Sequence, residues 1–134
     1  MSFFENMPPE QAKMLNPLSL AFVGDAVYTL FAREKVIQHS DAKNNVLHGR
    51  ATVLVKAAGQ ADKADEILPL LTSDEADIFR RAKNCKAHTV AKHATLADYK
   101  KATAFEALVG YLYLTGQNDR LQFLLSERDN ICQE

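Results

Sequence analysis

The sequence predicts an all-α fold, and three observations carry that prediction. Apolar residues recur at helical spacing nearly throughout the 134 residues. Helix-start signals stand where those runs begin. No stretch alternates apolar and polar residues as a half-buried strand would, and there is no internal repeat or low-complexity tract.

Asn16-Pro17 reads as an N-cap followed by proline at the first helical position, opening a helix that runs to about Ile37. Its residues are apolar almost all round, so it is expected to be central. A second helix is expected from about Lys43 to Ala58, with Val46, Leu47, Ala51, Val53, Leu54 and Val55 on a broad apolar face and Gly59 ending or kinking it. A short helix follows to Leu71. Ser73-Asp74-Glu75 reads as a cap with acids in the first turn, where they complement the helix dipole, and starts a helix through Phe79 and Arg81. From Asn84 to Asp98 the helical stripe fades; this is read as a long loop, which in a compact domain is usually functional or disordered. A helix carrying Glu106 begins near Asp98 and stops at Thr115-Gly116. A last amphipathic helix, from Asn118 or Asp119, offers Leu121, Phe123, Leu124, Leu125 and Ile131 as apolar contacts.

With 47% hydrophobic and 25% charged residues, residues 1–134 fit one domain that builds its core without staples. Met1 to Glu10 has no basic n-region and no long apolar h-region, so it does not read as a signal peptide, and a cytoplasmic location is expected. The longest apolar stretch, Pro17 to Ala32, is short for a bilayer crossing and carries Asp25 at its centre. Cys85 and Cys132 read as free thiols. Cys85, His88 and His93 make a poor zinc site, because the fourth ligand would have to be the distant Cys132. There is no P-loop, dinucleotide-binding glycine pattern or nucleophile elbow, so no nucleotide cofactor is expected. His48 is open to an RNA contact or a structural role, while Tyr28, Tyr111 and Tyr113 lie at helical spacing and read as core or interface.

The net charge of −1 hides an asymmetry. Residues 80 to 101 hold Arg80, Arg81, Lys83, Lys86, Lys92, Lys100 and Lys101 against Asp98 alone. That is the electrostatic footprint of a phosphate-binding surface; the competing reading is a merely solvated loop.

Two acids stand apart from all others. Asp25 is the only charge between Lys13 and Arg33, inside an apolar run from Leu18 to Phe31 that is expected to be core. Glu106 is the only charge between Lys101 and Asp119, in the equally apolar Ala102 to Leu114. A carboxylate in such a setting costs several kcal/mol or shifts its pKa unless something meets it. Gly24 directly before Asp25 and Gly110 one turn after Glu106 suggest that backbones or a ligand approach closely there. The carboxylates would then converge as ligands for a hard cation such as Mg²⁺, which can polarise a phosphoryl oxygen and generate a hydroxide nucleophile. Bonding of each acid to a nearby polar group for purely structural reasons remains the alternative.

Phe22-Val23-Gly24-Asp25-Ala26-Val27 resembles the F-L-G-D-A/S-V core of the ribonuclease III catalytic motif, and Phe105-Glu106-Ala107-Leu108-Val109-Gly110 resembles the E-A-L-I/V-G element of its last catalytic helix. The nearer resemblance is to the Mini-ribonuclease III branch, which has the endonuclease domain without a double-stranded-RNA-binding domain. It extends from about Leu18 to Leu125 and includes Asn45-Val46-Leu47-His48 and Arg80-Arg81-Ala82-Lys83-Asn84, in order along the chain. The larger ribonucleases III have glutamates where this chain has Leu18 and Ala21, and an aspartate where it has Thr103. Water and RNA phosphate oxygens must then fill more of a metal's coordination sphere, and the number of metals per site is left open.

The resemblance implies an all-α helical bundle that is a homodimer, with a positively charged valley across two catalytic sites. It implies an endoribonuclease that cuts double-stranded RNA with Mg²⁺ held by Asp25 and Glu106, in the maturation of precursor 23S ribosomal RNA. The basic segment, Arg80 to Lys101, would supply the RNA grip. The alternative is a non-catalytic RNA-binding or ribosome-assembly module that keeps the fold.

Overall fold

The computed structural model describes residues 2–85 and 95–126. Every regular element among them is helical: α1 Pro9–Lys13, α2 Pro17–Gln38, α3 Asn44–Val55, α4 Ala57–Ile67, a 3-10 turn Leu68–Leu70, α5 Ser73–Lys83, α6 Leu96–Leu114 and α7 Asn118–Leu125.

Local side-chain chemistry sets the helix starts. Asn16 Oδ1 accepts from the Leu18 N–H at 2.8 Å, and Pro17 takes the first position, where no N–H is needed. α5 is capped by Thr72, one residue before the expected Ser73. The Thr72 hydroxyl accepts from the Glu75 N–H at 3.2 Å, and the Glu75 carboxylate accepts from the Thr72 N–H at 2.9 Å, a reciprocal capping box. α6 begins at Leu96 rather than near Asp98, because the Thr95 hydroxyl accepts from the Asp98 N–H at 3.0 Å and so caps the helix earlier.

α3 ends at Val55 rather than Ala58, where Lys56 turns extended. Gly59 does not end it but lies in the first turn of α4, where a Cβ would strike the Val53 carbonyl oxygen at 2.4 Å. The glycine thus lets α4 fold back tightly onto the end of α3. At the far end of α6, Gly116 takes a left-handed φ of 73° and the Gln117 N–H reaches the Leu112 carbonyl at 2.9 Å, which ends the helix.

α6 is the hub. Ten of its residues are buried, and α2, α4 and α5 pack around it with α7 across its end. Phe105, Leu108 and Leu112 of α6 meet Leu20, Ile67, Ile78 and Leu124 from the surrounding helices, each at most 1% exposed. The Phe105 ring meets Tyr28 edge-on at 4.8 Å. Emptying a site such as that of Phe105 costs about 3–5 kcal/mol. Tyr28 and Tyr111 are core residues, as their spacing suggests.

α2 is central on one side only. Leu20, Gly24, Tyr28 and Ala32 face inward and are buried. The opposite side exposes Phe22 at 81% and Leu30 at 65%, with Asp25 and Ala26 between them. The expectation that the whole run is core, Asp25 included, is therefore corrected. Apolar residues on every side of a helix arise equally when one side lacks a packed neighbour, and among the described residues no helix covers Phe22 and Leu30. No helix among the described residues is long and apolar enough to cross a membrane.

Candidate active site

α2 and α6 touch backbone to backbone. A Cβ on Gly24 would lie 1.7 Å from the Glu106 carbonyl oxygen, and one on Gly110 would lie 2.0 Å from that of Leu20. No side chain fits at either position, so the close approach read from the two glycines is present, and it is mutual. Asp25 follows Gly24 directly, and Glu106 lies one turn before Gly110. The crossing brings together two carboxyls from opposite ends of the chain.

They face each other, and Glu106 responds. Burial first, then a hydrogen bond with Asp25 and the Asp25 charge, push its carboxyl up to about 8, against a smaller opposing effect of Gln60. The Gln60 amide nitrogen donates to Glu106 Oε2 at 3.2 Å and to the Val55 carbonyl at 2.8 Å. Gln60 is only 2% exposed, and its Oε1 is buried without a hydrogen-bond partner among the described residues.

The donor set fits a hard divalent cation. Two converging carboxyls and a nearby orphaned amide oxygen are the oxygen ligands and acceptors that Mg²⁺ and its waters take, and a cation would relieve the repulsion that raises Glu106. Among the described residues no group of three or more His, Cys, Asp or Glu is placed to hold a metal. Among the described residues, the carboxylates on the protein side of such a site are Asp25 and Glu106. Ala21 and Thr103 are buried and Leu18 is half-buried, so these neighbouring positions add no further acid and belong to the packing.

Gln60 is the site residue that sequence reasoning missed. Its signal was its register: Gln60, Ala61, Ala64 and Ile67 form the buried stripe of α4, and a glutamine in such a stripe needs a partner.

The basic residues fare unevenly. Arg80 is exposed but pairs with Asp77, and Arg81 donates to the Lys13 carbonyl at 3.0 Å. Lys101 pairs with Asp65 at 3.0 Å. Lys83 is exposed and Lys100 half-buried. Arg80, Arg81 and Lys83 also occupy the last turn of α5, where cations favour a helix end regardless of any ligand. Lys86, Lys92, His88, His93, Ile131 and Cys132 lie outside the described residues, as does most of the segment read as a loop. Cys85 is half-buried and free.

Residues 18–117 match the family described as Ribonuclease III domain. The chain is 41% identical to a Mini-ribonuclease 3 of Thermoanaerobacter sp., the match covering all of this chain and 96% of that protein. It is 45% identical to one of Symbiobacterium thermophilum, over 83% of this chain and 85% of that one. Its fold is similar to a protein of Fusobacterium nucleatum solved by X-ray crystallography, with a TM-score of 0.77 and 30% identity over 82% of this chain and 89% of the other.

Proposed function

Because the chain belongs to the Mini-ribonuclease 3 branch of the ribonuclease III family, and is an endoribonuclease of that family, we propose that it cleaves double-stranded RNA with Mg²⁺ at Asp25 and Glu106, in the cytoplasm, to mature precursor 23S ribosomal RNA. The observation that carries the catalytic part is the convergence of these two carboxyls at the Gly24–Gly110 crossing.

Asp25 and Glu106 would hold the cation, which when bound supplies a Lewis acid for a phosphoryl oxygen and an activated water. The chain's residues do the positioning. α6 holds Glu106 from within the core, and α2 presents Asp25 on an open face that a duplex can reach. Lys83 and Lys100, with the other cations of residues 80–101, are proposed to meet phosphates, since duplex RNA is bound mostly through shape, phosphates and 2′-hydroxyls.

The same open face supports a homodimer. Phe22, Ala26 and Leu30 recur one turn apart along α2 and line a groove of about 1580 Å³ shared with Leu121 and Leu125. A second copy of α2 would cover this apolar strip and place a second pair of carboxyls nearby, one pair for each RNA strand.

Labelled duplex RNA incubated with and without Mg²⁺ tests the reading. Asp25→Asn and Glu106→Gln should each abolish Mg²⁺-dependent cutting yet still bind the duplex in Ca²⁺; near-normal turnover in either variant would demote that acid. Light scattering of the unmodified protein should give twice the 14.9 kDa chain mass, and Phe22→Asp should give a single chain. A wild-type protein that cuts both strands as a monomer would end the dimer proposal.

A further inference from the structure

We propose that Gln60 is a positioning residue for Glu106, resting on the reading of Glu106 as a metal ligand. The last torsion of a glutamate side chain is broad, so an unrestrained carboxyl swings freely. Here one oxygen is met by an amide that is itself held: Gln60 is 2% exposed, and its nitrogen makes two hydrogen bonds. Its nitrogen spans the Val55 carbonyl at 2.8 Å and Glu106 Oε2 at 3.2 Å.

The direction of the amide is fixed by chemistry. The Val55 carbonyl can only accept, so turning the group over would set Oε1 against it. With Nε2 committed, Oε1 is left buried and unpartnered. An acceptor buried without a partner among the described residues works against folding, which argues that the amide is held for what its nitrogen does. The Val55 contact anchors it to the α3–α4 corner, whose tightness depends on Gly59. The corner therefore fixes Gln60, and Gln60 fixes Glu106.

A purely structural glutamine would only tie α4 to the end of α3. The two roles part on metal affinity. Gln60→Met keeps the length of the side chain and removes the amide. Mn²⁺ binding to the RNA-free protein, followed by electron paramagnetic resonance, should weaken about tenfold or more, the usual scale for removing a group that orients a metal ligand. The Mg²⁺ concentration for half-maximal cutting should rise by a similar factor. Excess Mg²⁺ should restore turnover, and duplex RNA affinity in Ca²⁺ should stay within about twofold. If Gln60→Met does not fold, Gln60→Asn, which keeps the amide but shortens its reach, should show the same loss.

Unchanged Mn²⁺ affinity and an unchanged Mg²⁺ midpoint in a folded variant, with only a lower melting temperature, would overturn the proposal. Glu106→Gln serves as the control. If it binds Mn²⁺ as well as the unmodified protein, the metal-ligand reading fails; if it loses Mn²⁺ while Gln60→Met retains it, the positioning role alone fails.

Discussion

Glu75 of α5, buried, and Glu106 of α6, half-buried, have opposite surroundings. Glu75 is 3% exposed and fully answered. Arg120 donates to both of its oxygens, at 2.8 and 2.9 Å, and the Thr72 N–H donates as well. Arg120 also reaches the Leu70 carbonyl at 2.6 Å and lies over the Phe123 ring. Burial alone would raise the Glu75 carboxyl, but the bonds from Arg120 and Thr72 outweigh it and hold it below the usual range. Glu106 meets another carboxyl and one amide, and it rises. The first acid is a closed ion pair between α5 and α7 that holds the fold. The second meets no cationic side chain among the described residues, which is the setting that the proposed metal ligand needs.

Exchanging the two roles by mutation gives the largest expected effect. Glu106→Gln should lower RNA cleavage by on the order of a thousandfold, the scale on which losing a charge-stabilising group acts, without lowering the melting midpoint. Glu75→Gln should leave saturated turnover within about twofold and unfold more readily. Cleavage lost equally in both would erase the contrast.

A smaller effect is expected from Arg120→Met. It leaves Glu75 buried with only the Thr72 N–H to answer it, at a cost of about 2–3 kcal/mol, below the 3–5 kcal/mol of a wholly buried pair because the Arg120 side chain keeps 28% exposure. Urea unfolding measures this; a loss under about 0.5 kcal/mol would make the pair an ordinary surface contact.

Per pH unit the smallest effect is a stability slope, at most about 1.4 kcal/mol for one group, and its sign separates the two acids. Glu106 is raised from 4.5 to about 8 in the folded chain. Between those values the unfolded chain ionises first while the folded one keeps its proton, so metal-free stability should fall as pH rises and level off above about 8. Glu75 is lowered, so its contribution is full above its unfolded pKa and is lost only in acid. Thermal melts in a chelator should show the neutral-pH decline in the unmodified protein and lack it in Glu106→Gln. Added Mg²⁺ should stabilise most at the alkaline end; a flat profile would mean that Glu106 is not under carboxylate pressure.

The sequence makes much of this legible, for local reasons. Asn16-Pro17 and Thr115-Gly116 announce helix ends through side-chain and backbone chemistry that needs no tertiary partner. The isolated acids and their glycines point to a close approach of backbones or of a ligand, and the structure makes it a helix crossing. What escapes is relational. Apolar spacing cannot say whether Phe22 and Leu30 meet this chain or another surface, so α2 reads as buried on a side that is open. Gln60 lies in a polar stretch where one inward-facing amide looks like its solvated neighbours. Arg81 and Lys101 read as free cations because their partners, the Lys13 carbonyl and Asp65, are remote in sequence.

The contact at Gly24 and Gly110 also shapes how this enzyme can vary. The gap between Asp25 and Glu106 is gauged by main chain against main chain, with no side chain available as an adjustable spacer. It cannot be widened in small increments: the least possible enlargement, a single methyl group, already drives one helix off the other. A mutational survey scored only on activity would thus rank two residues without side chains beside the acids themselves. Divergence in the choice of RNA is correspondingly steered away from this crossing, toward surfaces whose residues can change one at a time.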